Sequence, residues 1–158
     1  MSNKLLLPNR FKMIGWCILI PTTIAGIILT ITGYEAEWLS AKVFTLISDE
    51  IFGQTHFFTL ISANVTNTVV GSLFIVGALI VSFSKEKKED EFIANLRLSS
   101  LLWSVWVNYA LLLIAFLIVY GLAFFNVMVY NMFTILIIFI IRFNYILYKN
   151  SKSMSDEK

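Results

Sequence analysis

Residues 101–148, LLWSVWVNYALLLIAFLIVYGLAFFNVMVYNMFTILIIFIIRFNYILY, carry no charged side chain before Arg142 and break only at residues 121–126. A bilayer core about 30 Å thick needs roughly 20 apolar residues of helix per crossing. Each side of the break supplies one crossing, so the stretch reads as a helical hairpin that enters and leaves a membrane. The whole chain agrees: 58% of its residues are apolar and 14% are charged, against soluble norms of about 45–50% and about 25%. That leaves too little polar surface to clothe a water-soluble globule of 158 residues.

The remaining spans follow in order. Residues 1–12 are short and basic, and residues 13–32 are apolar. That run is longer than the apolar core of a signal peptide, about 7–15 residues, and no small-residue cleavage site follows it, so it reads as a retained helix. Pro21 at mid-span removes one backbone hydrogen bond and is expected to kink the helix, as a plain kink or a functional hinge, which membrane helices tolerate where neighbours or Thr side chains re-satisfy the backbone. Thr22, Gly26 and Thr30 repeat every fourth residue, the small-residue spacing of closely packed membrane helices, and Thr68 and Ser72 repeat it later. Residues 33–63 are acidic and irregular. The spacing of Trp38, Leu39, Val43, Leu46 and Ile47 predicts an amphipathic helix lying in the interface, with a turn at residues 53–55. A second span is expected at 57–83, a third at 100–123 and a fourth at 127–148. The charged link after the second span (SKEKKEDE) starts the third helix early, its acidic residues suiting a helix N-terminus. The link is otherwise a solvated surface or a docking point for a cytoplasmic protein. Residues 151–158 read as a polar, disordered cytoplasmic tail, and no internal repeat is evident. The expected fold is all-α: one transmembrane domain over residues 1–150, a four-helix bundle of two hairpins with an interfacial helix between the first two spans.

Charge placement orients it. Of twelve Lys and Arg residues, all but Lys42 fall at the termini, in the middle link or at the end of the fourth span. The positive-inside rule then puts both termini and the middle link on the cytoplasmic side of the membrane and residues 33–63 on the far side. Trp16, Tyr34, Trp38, Trp103 and Tyr148 fall near the expected interfaces.

Polar groups within spans mark where function is sought, because each is costly in lipid. At about 100° per residue, Asn131, Thr134, Arg142 and Tyr145 share one stripe of the fourth helix, and Arg97, Ser104, Asn108 and Ala115 share one of the third. Ser104, Asn108, Asn131, Thr134, Arg142 and Tyr145 therefore form the candidate intramembrane cluster. Two readings of Arg142 stand: a side chain snorkelling to the headgroups, or a buried cation that pairs with Asn108 or binds an anion. For the asparagines the simple reading is a hydrogen bond between helices.

The chain lacks the parts that several activities require. No carboxylate lies inside a span, which argues against a proton-coupled exchanger. No acid cluster suits Mg²⁺, no nucleophile–base pair is visible, and His56 is the only histidine. No catalytic residue, cofactor or metal site is therefore assigned, and no nucleic-acid surface. The lone Cys17 has no partner for a disulfide, and Asn64-Val65-Thr66 matches the glycosylation triplet only by chance so close to a span.

The segment EDEFIANLRLSSLLWSVWVNYALLLIAFLIVYG, with FFNVMVYNMFTILIIFIIRFNYILY after it, resembles a group of small bacterial four-span membrane proteins with no assigned activity. The resemblance covers the third and fourth helices. Such proteins are often encoded beside a helix-turn-helix regulator, which implies a sensing or signalling role and supplies no site residue. Two functional expectations follow. One is a non-catalytic sensor or regulatory and assembly partner in the membrane, engaging a cytoplasmic or membrane protein. The other is a small transporter or channel working as a homo-oligomer, with Asn108, Asn131 and Arg142 lining its path.

Overall fold

The computed structural model describes residues 6–33, 36, 39–48, 56–87 and 89–156. In chain order these form α1 (Asn9–Thr32), β1 (Ser40–Ser48), β2 (His56–Asn64), α2 (Thr66–Phe83), α3 (Glu91–Ile118) and α4 (Leu122–Asp156). All four helices are long and apolar enough to cross a membrane. They are apolar on all sides: Ile24, Ile27, Ile28 and Ile31 of α1 and Leu113, Ile114, Phe116, Leu117 and Ile118 of α3 are exposed. Exposure of that extent suits hydrocarbon and not water.

Residues 33–63 depart from expectation. In place of an amphipathic helix, residues 40–48 and 56–64 form a two-stranded antiparallel ribbon, in a register that sets Phe44 opposite Leu60 and Thr45 opposite Thr59. The fold is thus mostly helical and not all-α. The helical spacing of apolar residues competed here with a high density of β-branched and aromatic residues, and the latter prevails. The pentapeptide Phe-Thr-Leu-Ile-Ser occurs twice, at residues 44–48 and 58–62. The sequence thus holds one short internal repeat, contrary to expectation, with one copy in each strand. Tyr34, Trp38 and the turn expected at residues 53–55 lie outside the described residues.

The second span is accordingly shorter than the expected 57–83, because β2 claims its first residues and α2 starts at Thr66. At a rise of about 1.5 Å per residue its 18 residues still approach the thickness of the hydrocarbon core. Asn64 closes the strand-to-helix junction. Its Nδ2 donates to the Ala36 carbonyl at 2.9 Å, and its Oδ1 accepts from the Thr66 backbone N–H at 2.9 Å. The Thr66 hydroxyl donates to the same oxygen and accepts from the Ala36 N–H. The Asn-Val-Thr triplet is therefore a hydrogen-bonded knot.

Contacts divide the chain into two compact units, Met1–Cys17 with Ile75–Lys158, and Ile18–Phe74. In the second of these, Leu19, Thr22 and Phe74 are buried, and a Cβ on Gly26 would lie 4.0 Å from Val70. Thr30 is exposed and donates to the Gly26 carbonyl of its own helix, so only the start of the small-residue stripe is used for packing. α1 runs unbroken through Pro21. The Thr22 and Thr23 hydroxyls donate to the Ile18 and Leu19 carbonyls, at 2.8 and 2.6 Å, next to the Cys17 carbonyl that the proline leaves without its usual donor.

In the other unit the start of α1 meets the end of α2 at Gly15, where a Cβ would come within 2.8 Å of Val81 Cγ2 and 2.9 Å of Ile80 Cγ2. Leu7 extends this seam: its N–H donates to the Phe83 carbonyl, and its own carbonyl accepts from the Lys85 N–H. α3 begins ahead of its span, as its charges suggested. Asp90 caps it, accepting from the Ile93 N–H at 2.9 Å, and Glu91 favours the dipole of the first turn. α3 ends at Ile118 and α4 begins at Leu122, so the break is tighter than the expected 121–126. Gly121, at φ +72°, makes it possible. α4 then continues through Asp156, taking in most of the residues read as a disordered tail. Extending a formed helix adds a hydrogen bond for each residue ordered, and Lys and Met favour this.

Two outcomes test this packing. Gly15→Ala should lower stability in detergent by about 1–3 kcal/mol through overpacking, whereas Gly26→Ala, with the same helix-propensity gain, should leave the thermal midpoint unchanged or raised. Asn64→Ala should cost about 1–3 kcal/mol by stranding its partners, and Asn64→Asp less, since it keeps the acceptor for Thr66. Denaturation followed by circular dichroism reads both.

Candidate functional site

α3 presents one buried polar face. Arg97, Ser100, Ser104 and Asn108 recur at helical spacing and are all buried, with Ser100 and Ser104 fully so. Small side chains here let α4 approach closely. The contacts between α3 and α4 run in opposite senses along the two helices, from Phe116 with Phe124, through Asn108 with Asn131 and Trp103 with Arg142, to Arg97 with Phe143.

The two asparagines meet. Asn108 Nδ2 donates to Asn131 Oδ1 at 3.1 Å, and Asn131 Nδ2 donates to Asn108 Oδ1 at 3.3 Å. Each amide therefore satisfies the other, a reciprocal clasp between α3 and α4. Ser104 donates to the Leu101 carbonyl of its own helix at 2.7 Å, and Thr134 to the Tyr130 carbonyl at 3.0 Å. Tyr145 is exposed and joins no cluster. Arg142 does not pair with Asn108, whose amide is already taken. Its guanidinium stacks on Trp103, 4.3 Å from the ring centroid, a contact worth about 0.5–2 kcal/mol depending on desolvation. Its Nε is buried and has no hydrogen-bond partner. Apart from the exposed Tyr145, the candidate residues thus resolve into one clasp, one cation–π pair and two side chains bonded to their own helices.

A second polar centre lies where the chain passes from α2 to α3. Arg97 directs its fork at Glu89, with Nη1 to Oε1 at 2.8 Å and Nη2 to Oε2 at 3.4 Å, and Nη2 also donates to the Ser84 carbonyl at 3.2 Å. The guanidinium lies 5.3 Å from the Phe143 ring centroid. Lys12 pairs with Glu86 and reaches Asn144 Oδ1 at 3.5 Å, while Asn9 Nδ2 donates to the Lys85 carbonyl at 2.7 Å. The side chains of both ion pairs are largely buried. Losing one member of such a pair strands a charge, which costs about 3–5 kcal/mol when burial is complete.

Sequence reasoning placed Arg97 on the inward stripe but took the acidic run for solvated surface. A guanidinium on a buried helix face needs a counter-charge, and the acids nearest in the chain are those of residues 86–91.

The clasp is tested by a double-mutant cycle. Asn108→Leu and Asn131→Leu should each destabilise the protein in detergent, and the double variant should recover most of the loss. The coupling expected is about 0.6 kcal/mol, and at most about 1.7 kcal/mol, for a hydrogen bond between membrane helices.

Comparison with family models, curated proteins and solved structures found no match to this chain.

Proposed function

We propose that this chain is a four-helix bundle of two hairpins in a bacterial inner membrane, with both termini cytoplasmic, and that it acts without catalysis as a sensor or as a regulatory and assembly partner. The observation that carries this reading is the Asn108–Asn131 clasp. A translocation path needs polar groups free to exchange partners with a passing solute, and here the two intramembrane amides are closed on each other. The charge asymmetry supports the orientation. The exposed charges of the α2–α3 link and the start of α3, Lys87, Asp90 and Glu91, support a cytoplasmic surface that a protein partner can read. The resemblance carried by residues 89–148 points the same way.

A second reading, a small oligomeric transporter or channel, is favoured by one observation: the buried Nε of Arg142 has no hydrogen-bond partner.

Sealed proteoliposomes separate the two. In a Cys17→Ser background, cysteines placed at Lys42 and Lys87 should label from opposite faces. Ion or small-solute flux should stay at the level of empty vesicles. A photo-crosslinker at Lys87 in native membranes should capture a second protein species. Flux above background that is abolished by Arg142→Gln would establish the transporter reading instead.

A further inference from the structure

A groove of about 840 Å³ opens beside the first turns of α1, bounded also by the α2–α3 link, α3 and α4. Its walls are of two kinds. Met13, Trp16, Ile93 and Leu147 are apolar, while Arg10, Lys12, Glu86 and Lys87 are charged. Lys12 and Glu86 neutralise each other. Arg10 and Lys87 are exposed and belong to neither of the ion pairs found among the described residues. The groove therefore presents two uncommitted cations above a hydrocarbon-like wall, on the basic end of the spanning helices. An anionic amphiphile matches both halves at once. A soluble anion would leave the apolar wall bare, and a zwitterionic lipid would leave the surplus positive charge unmet.

We propose that this groove binds one anionic phospholipid, its phosphate held by Arg10 and Lys87 and an acyl chain lying along Met13, Trp16 and Leu147. The seam formed by Leu7 with Phe83 and Lys85 fixes the two cation-bearing segments side by side, so the site is assembled before lipid arrives. The assignment does not depend on whether the chain is a regulator or a transporter.

Titration of the purified full chain in neutral detergent with phosphatidylglycerol or phosphatidylcholine, followed by native mass spectrometry, tests it. The expected result is one phosphatidylglycerol retained with about 10- to 30-fold preference over phosphatidylcholine, the scale of two surface cations acting on an anionic headgroup. Arg10→Gln with Lys87→Gln should abolish the preference, and the charge-keeping pair Arg10→Lys with Lys87→Arg should restore it. Both positions are exposed, so the thermal midpoint should not move. Equal binding of the two lipids, or a preference that survives neutralisation, would overturn the proposal. So would displacement of the lipid by inorganic phosphate at comparable concentration, which would assign the cations to a soluble anion.

Discussion

Hydrogen bonding that must be completed without water is the constraint under which this chain is built. In hydrocarbon every backbone amide has to find its partner within the span, which leaves the helix as the working solution for a short chain. Many side chains follow the same rule, although the Oγ of Ser82 and Ser100 and the Nε of Arg97 and Arg142 are buried without a hydrogen-bond partner. The Thr hydroxyls of α1 and α4 donate to carbonyls of the preceding turn, and the two asparagines close on each other. Where β-branched and aromatic residues draw the chain out of the helix, the ribbon of β1 and β2 completes its hydrogen bonds between strands, and Asn64 with Thr66 completes those at its exit.

The charged residues divide by a similar rule. The α2–α3 link carries a dense mixture of Lys and Glu that, judged by composition, belongs in solvent. Glu86 and Glu89 instead turn inward to meet Lys12 and Arg97. Arg97 sits on the face that also holds Ser100, Ser104 and Asn108, so the helix cannot turn it outward without exposing those groups to lipid. Its counter-ion must come to it, and the link supplies one. The ordering of that link follows from the position of a single guanidinium on α3.

The spanning helices were legible because length and apolarity alone decide them, and α3's early start was legible because its acids cluster at one end. That the asparagines bond between helices was legible, because both lie on inward-facing stripes of helices adjacent in the chain; that Asn108 takes Asn131 and not Arg142 was not. The ribbon was not. Val43, Thr45, Ile47 and Ile61 are poor discriminators, since residues that favour strands also populate membrane helices, and helical spacing arose among them by coincidence. The partner of Arg142 was missed for a different reason. The guanidinium was expected to snorkel to the headgroups or to seek an amide or an anion, and it stacks instead on the ring of Trp103, drawn by the ring quadrupole.

The connection between α3 and α4 is three residues long, from Val119 to Gly121, and Gly121 holds it in a left-handed turn. Partner numbers along α3 rise as those along α4 fall, from 97 with 143 to 116 with 124. The turn therefore works as a length gauge for both helices. One added residue would rotate α4 by about 100° and slide it by about 1.5 Å, and the asparagine clasp, the Trp103 stack and the Phe143 contact would all lose alignment together. Drift in this chain should accordingly be tolerated as substitution along the helices' lipid-facing sides and resisted as any change in loop length at Gly121.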